Sequence, residues 1–229
     1  MKSAAWAGIL SLFAVAMGFS QAQKPDDRFD TEVRNDFFAG IGGDAARFEK
    51  AMKTRETALA ADPKNSSAMV WHGAGLFFKS GQAFRSGDIA AGRDLNTRGL
   101  REMADAIALA PDSLQTRIPR AAVLDGAAPF MDDARSKPLL EIAVADYEKA
   151  YAIQKDSLSS LPAHSQGELL GGLADSYRRL GNVDKARDYL QKMQQGLPGT
   201  PYEAQAKRWL TDLPNVGKQE KFCFGCHLN

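Results

Sequence analysis

One spacing of small and large residues recurs along the chain and limits its fold more than any other feature. Ala51-Arg55-Ala58-Pro63, Gly99-Met103-Ala106-Pro111, Ala143-Tyr147-Ala150-Lys155 and Ala186-Leu190-Met193-Pro198 share the same offsets. Steps of four and seven residues return to one face of a helix. A small residue there lets a neighbouring helix approach, a large one fills the space beside it, and a proline ends the helix. A second pattern precedes two of these segments. Leu170, Leu173, Ala174 and Tyr177 share a helix face before the Gly181-Asn182 break, and Trp71, Ala74, Gly75 and Phe78 sit at equal spacing. Strand signals are nearly absent, and apolar residues recur at three and four. Four helix pairs are predicted, at about 29–63, 66–111, 113–156 and 164–198. A closing helix at about 201–212, with Tyr202, Ala206, Trp209 and Leu210, would cover the last exposed face.

These paired patterns, with the endings "ALAADPKN" (58–65) and "AIALAPDS" (106–113), resemble the tetratricopeptide repeat. The resemblance spans most of 29–212. It implies an all-α fold: a right-handed superhelical stack of antiparallel helix pairs over 29–213, with a groove that takes a protein partner. By the same resemblance Met69, His72, Leu76 and Lys79 line one groove segment, and Glu168, Asp175, Arg178 and Arg179 another. Asp175 and Arg179, four apart, are also placed to pair on a solvated helix face. The chain departs from the family pattern in places. Arg55 replaces a large apolar residue, Lys155 replaces a proline, and Pro119 falls inside a predicted helix, which should start late or kink. The repeat ends lie 48, 44 and 43 residues apart, where the family spacing is about 34. The excess is expected in two enlarged loops, about 82–96 and 126–137, on one side of the stack. They would carry Phe84, Phe130 and Met131. Gly40-Ile41-Gly42-Gly43 reads as the turn between the first two helices.

The chemistry lies at the other end of the chain. Cys223-Phe224-Gly225-Cys226-His227 reads C-x-x-C-H, the attachment sequence of a c-type haem. Cys223 and Cys226 would form thioethers with the haem vinyl groups, and His227 would be the proximal ligand of the iron, the one metal site expected. They are the only two cysteines, beside one of three histidines. Other readings stay open: a disulfide or redox dithiol, a zinc site lacking its fourth ligand, or a plain tail. Met131, His72 and His164 are the candidates for a sixth ligand, with a pentacoordinate haem or a ligand from a partner chain as the alternatives, while Phe222 and Phe224 would shield a haem edge. The stretch 214–222 is rich in Pro, Asn, Gly and charge and reads as a tether, so 214–229 is expected to form a haem-binding tail. With two residues after His227 and a polar tether before the motif, the haem is expected to be largely exposed, with a low potential.

Residues 1–22 have the form of a secretory signal peptide. Lys2 is followed by an apolar run from Ala4 to Phe19, broken by Ser11, and Ser20-Gln21-Ala22 fits a cut before Gln23. The apolar run is short for a membrane span. Export agrees with C-x-x-C-H, since the resemblance to c-type cytochromes implies haem attachment outside the cytoplasmic membrane; the periplasm is the first address and secretion the second. The formal charge of +1, from 29 basic and 28 acidic residues well mixed, argues against nucleic acid or anionic membrane as partner. No G-x-S-x-G, H-E-x-x-H or phosphate loop occurs, and no catalytic set is assigned. The leading expectation is a periplasmic repeat scaffold that carries one covalent haem c to a protein partner for electron transfer. The alternative is a pure interaction scaffold whose C-terminal motif holds a disulfide or a metal without haem.

Overall fold

A computed structural model of the chain describes residues 27–218 and residue 220, with side chains from Arg34 onward. The signal-like segment 1–22 and the haem-type motif, with Phe222 and Phe224, lie outside the described residues.

Among the described residues there are nine α-helices and no strand. They are α1 (Asp27–Ile41), α2 (Ala45–Ala61), α3 (Ser66–Ser86), α4 (Ile89–Leu109), α5 (Leu114–Ala127), α6 (Asp133–Gln154), α7 (Ala163–Arg179), α8 (Val183–Gly196) and α9 (Pro201–Thr211). Each helix packs on the next in sequence. The connections are short, so neighbours run antiparallel. The odd helices also touch one another: α3 meets α1 and α5, and α5 meets α7. The pairs α1–α2, α3–α4, α5–α6 and α7–α8, closed by α9, are the order predicted from the sequence.

The starts and stops follow local chemistry. Asp44, Asn65, Asp88, Asp132, Asn182 and Thr200 each accept a hydrogen bond from the backbone N–H three residues on, which satisfies an orphan donor of the first turn. Two of the pairs turn by one device. Gly87 (φ 85°) and Gly181 (φ 79°) occupy the left-handed region that closes a helix, and the next residue caps the following one. Of the Gly40–Gly43 stretch expected as a turn, Gly42 and Gly43 form it, while Gly40 and Ile41 end α1.

The enlarged loop expected at 82–96 is not a loop. α3 and α4 run to 21 residues each, and only Gly87 and Asp88 separate them. The phenyl ring of Phe84 lies over Gly92, where a Cβ would come within 2.5 Å of it. The loop expected at 126–137 shrinks likewise, to a 3₁₀ turn (Ala128–Phe130) and two residues between α5 and α6. The added residues lengthen helices α3, α4 and α6. Pro119 lies inside α5, which starts at Leu114 and not after it.

A single apolar core runs through the stack, from Phe37, Phe48 and Trp71 at one end to Leu190, Met193 and Trp209 at the other. Glycines set its closest crossing. A Cβ on Gly73 would lie 2.8 Å from the Gly99 carbonyl oxygen, and one on Gly99 2.6 Å from the Gly73 oxygen. There α3 and α4 touch backbone to backbone. Arg55, out of pattern in the sequence, is fully buried in α2. Its guanidinium stands 5.2 Å from the Phe37 ring centre and 5.5 Å from that of Trp71, so the cation fills an aromatic slot. Asp146 of α6 is also fully buried, and Arg117 and Arg120 of α5 donate to it at 2.6–2.9 Å.

Candidate functional site

Two regions of the molecule could bind something. The first is a cavity of about 170 Å³ among the odd helices, bordered by Arg34 and Phe38 of α1, Trp71 of α3, Ile118 of α5 and Glu168 of α7. Its walls are apolar and its rim polar, the usual make-up of a small binding site. Across this rim Arg34 Nη2 lies 2.9 Å from His164 Nε2 and 3.5 Å from Glu168. Arginine can only donate, so Nε2 of His164 accepts and Nδ1 carries the hydrogen toward the Tyr202 hydroxyl, 2.7 Å away. The lone pair of His164 is therefore engaged.

Of the eight residues assigned to the groove, only Glu168 borders this cavity. On α3, one residue after Trp71, His72 is turned by about 100° toward the even helices. Its Nδ1 meets Glu102 of α4, and its Nε2 lies 4.0 Å from Glu56 of α2. Lys79 pairs with Glu49 of α2 and stands over the Phe48 ring. Leu76 is buried, and Met69 packs half-buried against the core. The α3 set therefore faces α2, α4 and the core.

The other three form the second region, at the C-terminal end of α7. Asp175 is buried, and its carboxylate takes Arg178 at 2.6 Å and Arg179 at 3.0 Å. The pair at 175 and 179 forms as its spacing suggests, but in the interior. Asp125 of α5 completes the cluster: it accepts from the Ser176 hydroxyl at 2.9 Å and lies 4.0 Å from Arg179. Burial, and then the charge of Asp175, push the Asp125 carboxyl up to about 8, against the pull of Arg179, the Ser176 hydrogen bond and Arg178.

The two arginines also donate to the C-terminal segment. After α9 the chain makes a 3₁₀ turn (Leu213–Asn215) and crosses the end of α7. Arg178 donates to the carbonyls of Val216 (3.1 Å) and Glu220 (3.4 Å), and Arg179 to those of Lys218 and Glu220 (both 2.7 Å). The Glu220 amide donates to the Gly217 carbonyl. The Glu220 carboxylate takes Arg208 at 2.7 Å and the Trp209 indole N–H at 3.1 Å; Arg208 holds this carboxyl below its ordinary value. Arg178 stacks 5.0 Å from the Trp209 ring centre. Lys218 reaches Asp133 at the start of α6, 3.0 Å away. The early part of the predicted tether is thus bound to the body through its backbone.

Asp125, Ser176, Arg208, Trp209 and Glu220 were not singled out as site residues in the sequence. The one available signal was Asp-Ser-Tyr-Arg-Arg (175–179) at the end of α7. Two adjacent arginines there need acceptors from elsewhere.

Comparison of the chain with protein-family profiles, curated proteins and solved structures finds no match. Among the described residues no group of His, Cys, Asp and Glu is arranged to hold a metal ion, and no helix is long and apolar enough to cross a membrane.

Proposed function

We propose that the chain is a tetratricopeptide-type scaffold that carries one covalently attached c-type haem on its C-terminal segment and brings it to a protein partner for electron transfer. The observation that carries the reading is the clasp. The residue bound by Arg178, Arg179, Arg208 and Trp209 stands three positions before Cys223 of C-x-x-C-H. The clasp ties the chain to the helical body shortly before the motif, which supports a motif carried by the scaffold. The donor set suits haem: two thiols at the spacing of the vinyl groups and an imidazole beside the second. When bound, haem would supply a one-electron couple. Cys223 and Cys226 would hold it, and His227 would ligate its iron.

The body supports the scaffold half of the reading. Paired helices in sequence order, with odd helices in mutual contact and a cavity among them, suit a superhelical repeat with a binding face. A partner segment would meet Phe38, Trp71 and Ile118 and pair with the Arg34 and Glu168 rim. The signal-like residues 1–22 support export, with the periplasm as the address.

The test is expression to the periplasm together with haem-attachment machinery, followed by extraction with acidified acetone. Covalent haem leaves the colour with the protein. Cys226→Ala should release it or abolish the colour. Extraction of all haem from the wild type, or a colourless wild type, would overturn the haem reading and leave the alternative, an interaction scaffold whose C-terminal motif forms a disulfide or a metal site without haem.

A further inference from the structure

We propose that the cavity among the odd helices seats one phenol ring, and that the partner segment supplies it as a tyrosine side chain. The ring is the anchor of the partner in the reading above; it rests on that partner-binding reading and is independent of haem. The size sets a single ring. The cavity holds about 170 Å³, and an apolar cavity of about 150 Å³ takes one benzene. Phe38 of α1 and Trp71 of α3 border it with their planes 89° apart and their ring centres 6.1 Å apart. A third ring lying along one of them is edge-on to the other, and both arrangements are favourable. Ile118 of α5 and Leu169 of α7 border it from the other two helices.

The backbone of α5 calls for the hydroxyl. Pro119 lies inside this helix and has no N–H, so the carbonyl of Gln115, four residues before it, loses its helical donor. Gln115 and Pro119 both border the cavity, so this acceptor stands at its wall. An acceptor left without a donor away from water is costly. A phenol brings one O–H on an otherwise apolar ring.

The charges at the rim select a neutral occupant. Arg34 is engaged by His164 Nε2 at 2.9 Å and by Glu168 at 3.5 Å, and Glu168 lies 3.8 Å from the same imidazole nitrogen. Arg34 and Glu168 thus answer each other, and a carboxylate ligand would stand against Glu168. The other polar residues at the cavity, Gln115, Gln154 and Ser165, both donate and accept. That suits the peptide groups on either side of a tyrosine.

The test is calorimetric titration of the full chain with p-cresol, toluene and N-acetyltyrosinamide. p-Cresol should bind once per chain and at least as tightly as toluene, although its hydroxyl costs more to take out of water. N-acetyltyrosinamide should compete with it. Pro119→Ala returns an N–H to the Gln115 carbonyl and should weaken p-cresol about tenfold relative to toluene. Ala122→Leu, on the α5 wall, fills the cavity and should abolish binding of both; Ile118→Phe serves instead if circular dichroism shows that Ala122→Leu does not fold. No binding of p-cresol, tighter binding of toluene, a ratio unmoved by Pro119→Ala, or binding unmoved by the filling variant would each overturn the proposal. p-Cresol binding without N-acetyltyrosinamide binding would overturn the tyrosine and, with it, the partner-segment reading of this cavity. Failure of the haem reading shows separately, as an unmodified mass of the wild-type chain.

Discussion

Asp125 and Asp175 stand on neighbouring helices with two arginines between them, and this arrangement makes stability depend on pH. Asp125 keeps its proton up to about pH 8 in the folded chain, while its ordinary value is 3.8. Between those values the unfolded chain has released the proton and the folded one has not. The folded state therefore binds more protons, and stability falls as pH rises through this window. The neighbours facing Asp125 are Asp175, Arg178, Arg179 and Ser176. The carboxyls held low, those of Asp36, Asp112, Asp132, Glu203 and Glu220, lose their contribution only as pH falls below their ordinary values of 3.8 for Asp and 4.5 for Glu. Melting temperatures recorded from pH 5 to 9 should fall for the wild type and fall less for Asp125→Asn, which stays neutral and can still accept from Ser176. Equal slopes would show that Asp125 does not titrate in this range. Asp146 offers a second test. It is the shared acceptor of Arg117 and Arg120, so Asp146→Ala leaves two cations facing each other. A loss of about 3–5 kcal/mol is expected in urea unfolding.

At the scale of helices, much of the molecule was legible. The offsets at Ala51, Gly99, Ala143 and Ala186 located the even helices, because a close crossing needs small residues at fixed places whatever surrounds them. Helix length was less legible. Ser86-Gly87-Asp88 carries the same glycine-then-cap pair as Gly181-Asn182, yet the longer repeat spacing by itself predicts a loop there. The backbone contact of α3 and α4 was half visible: Gly99 stood in the pattern and Gly73 did not. Either glycine changed to alanine would put a methyl group against backbone atoms that cannot swing aside. Gly99→Ala and Gly73→Ala should each cost about 1–3 kcal/mol, the range for overpacking, while leaving the helix content unchanged. Thermal and urea unfolding followed by circular dichroism would measure this. A stabilised Gly99→Ala would mean that the helices stand further apart.

Across the whole molecule, the stack and the C-terminal segment are separable in their cores and coupled at the clasp. The buried apolar residues of the core lie upstream of residue 214 and close on Trp209 and Leu213, with Val216 packed half-buried against them. Deleting 214–229 should therefore leave the helices folded. It strips the carbonyls from Arg178 and Arg179 and the carboxylate from Arg208 and Trp209, so a drop of about 2 kcal/mol, or roughly 4–8 °C in melting temperature, is expected. An unchanged melting temperature would mean that the clasp adds nothing to stability. The clasp was illegible in the sequence, because contacts between side chains of α7 and backbone carbonyls some 40 residues later leave no pattern in residue types. The C-x-x-C-H motif lies outside the described residues, and its chemistry rests on five adjacent residues of the sequence. The central claim, that this scaffold carries a covalent haem, is tested most directly by the intact mass of the chain exported from cells with working haem-attachment machinery. The account predicts a chain beginning at Gln23 with the added mass of one haem. The same chain at its unmodified mass, from cells that mature a control cytochrome, would contradict it.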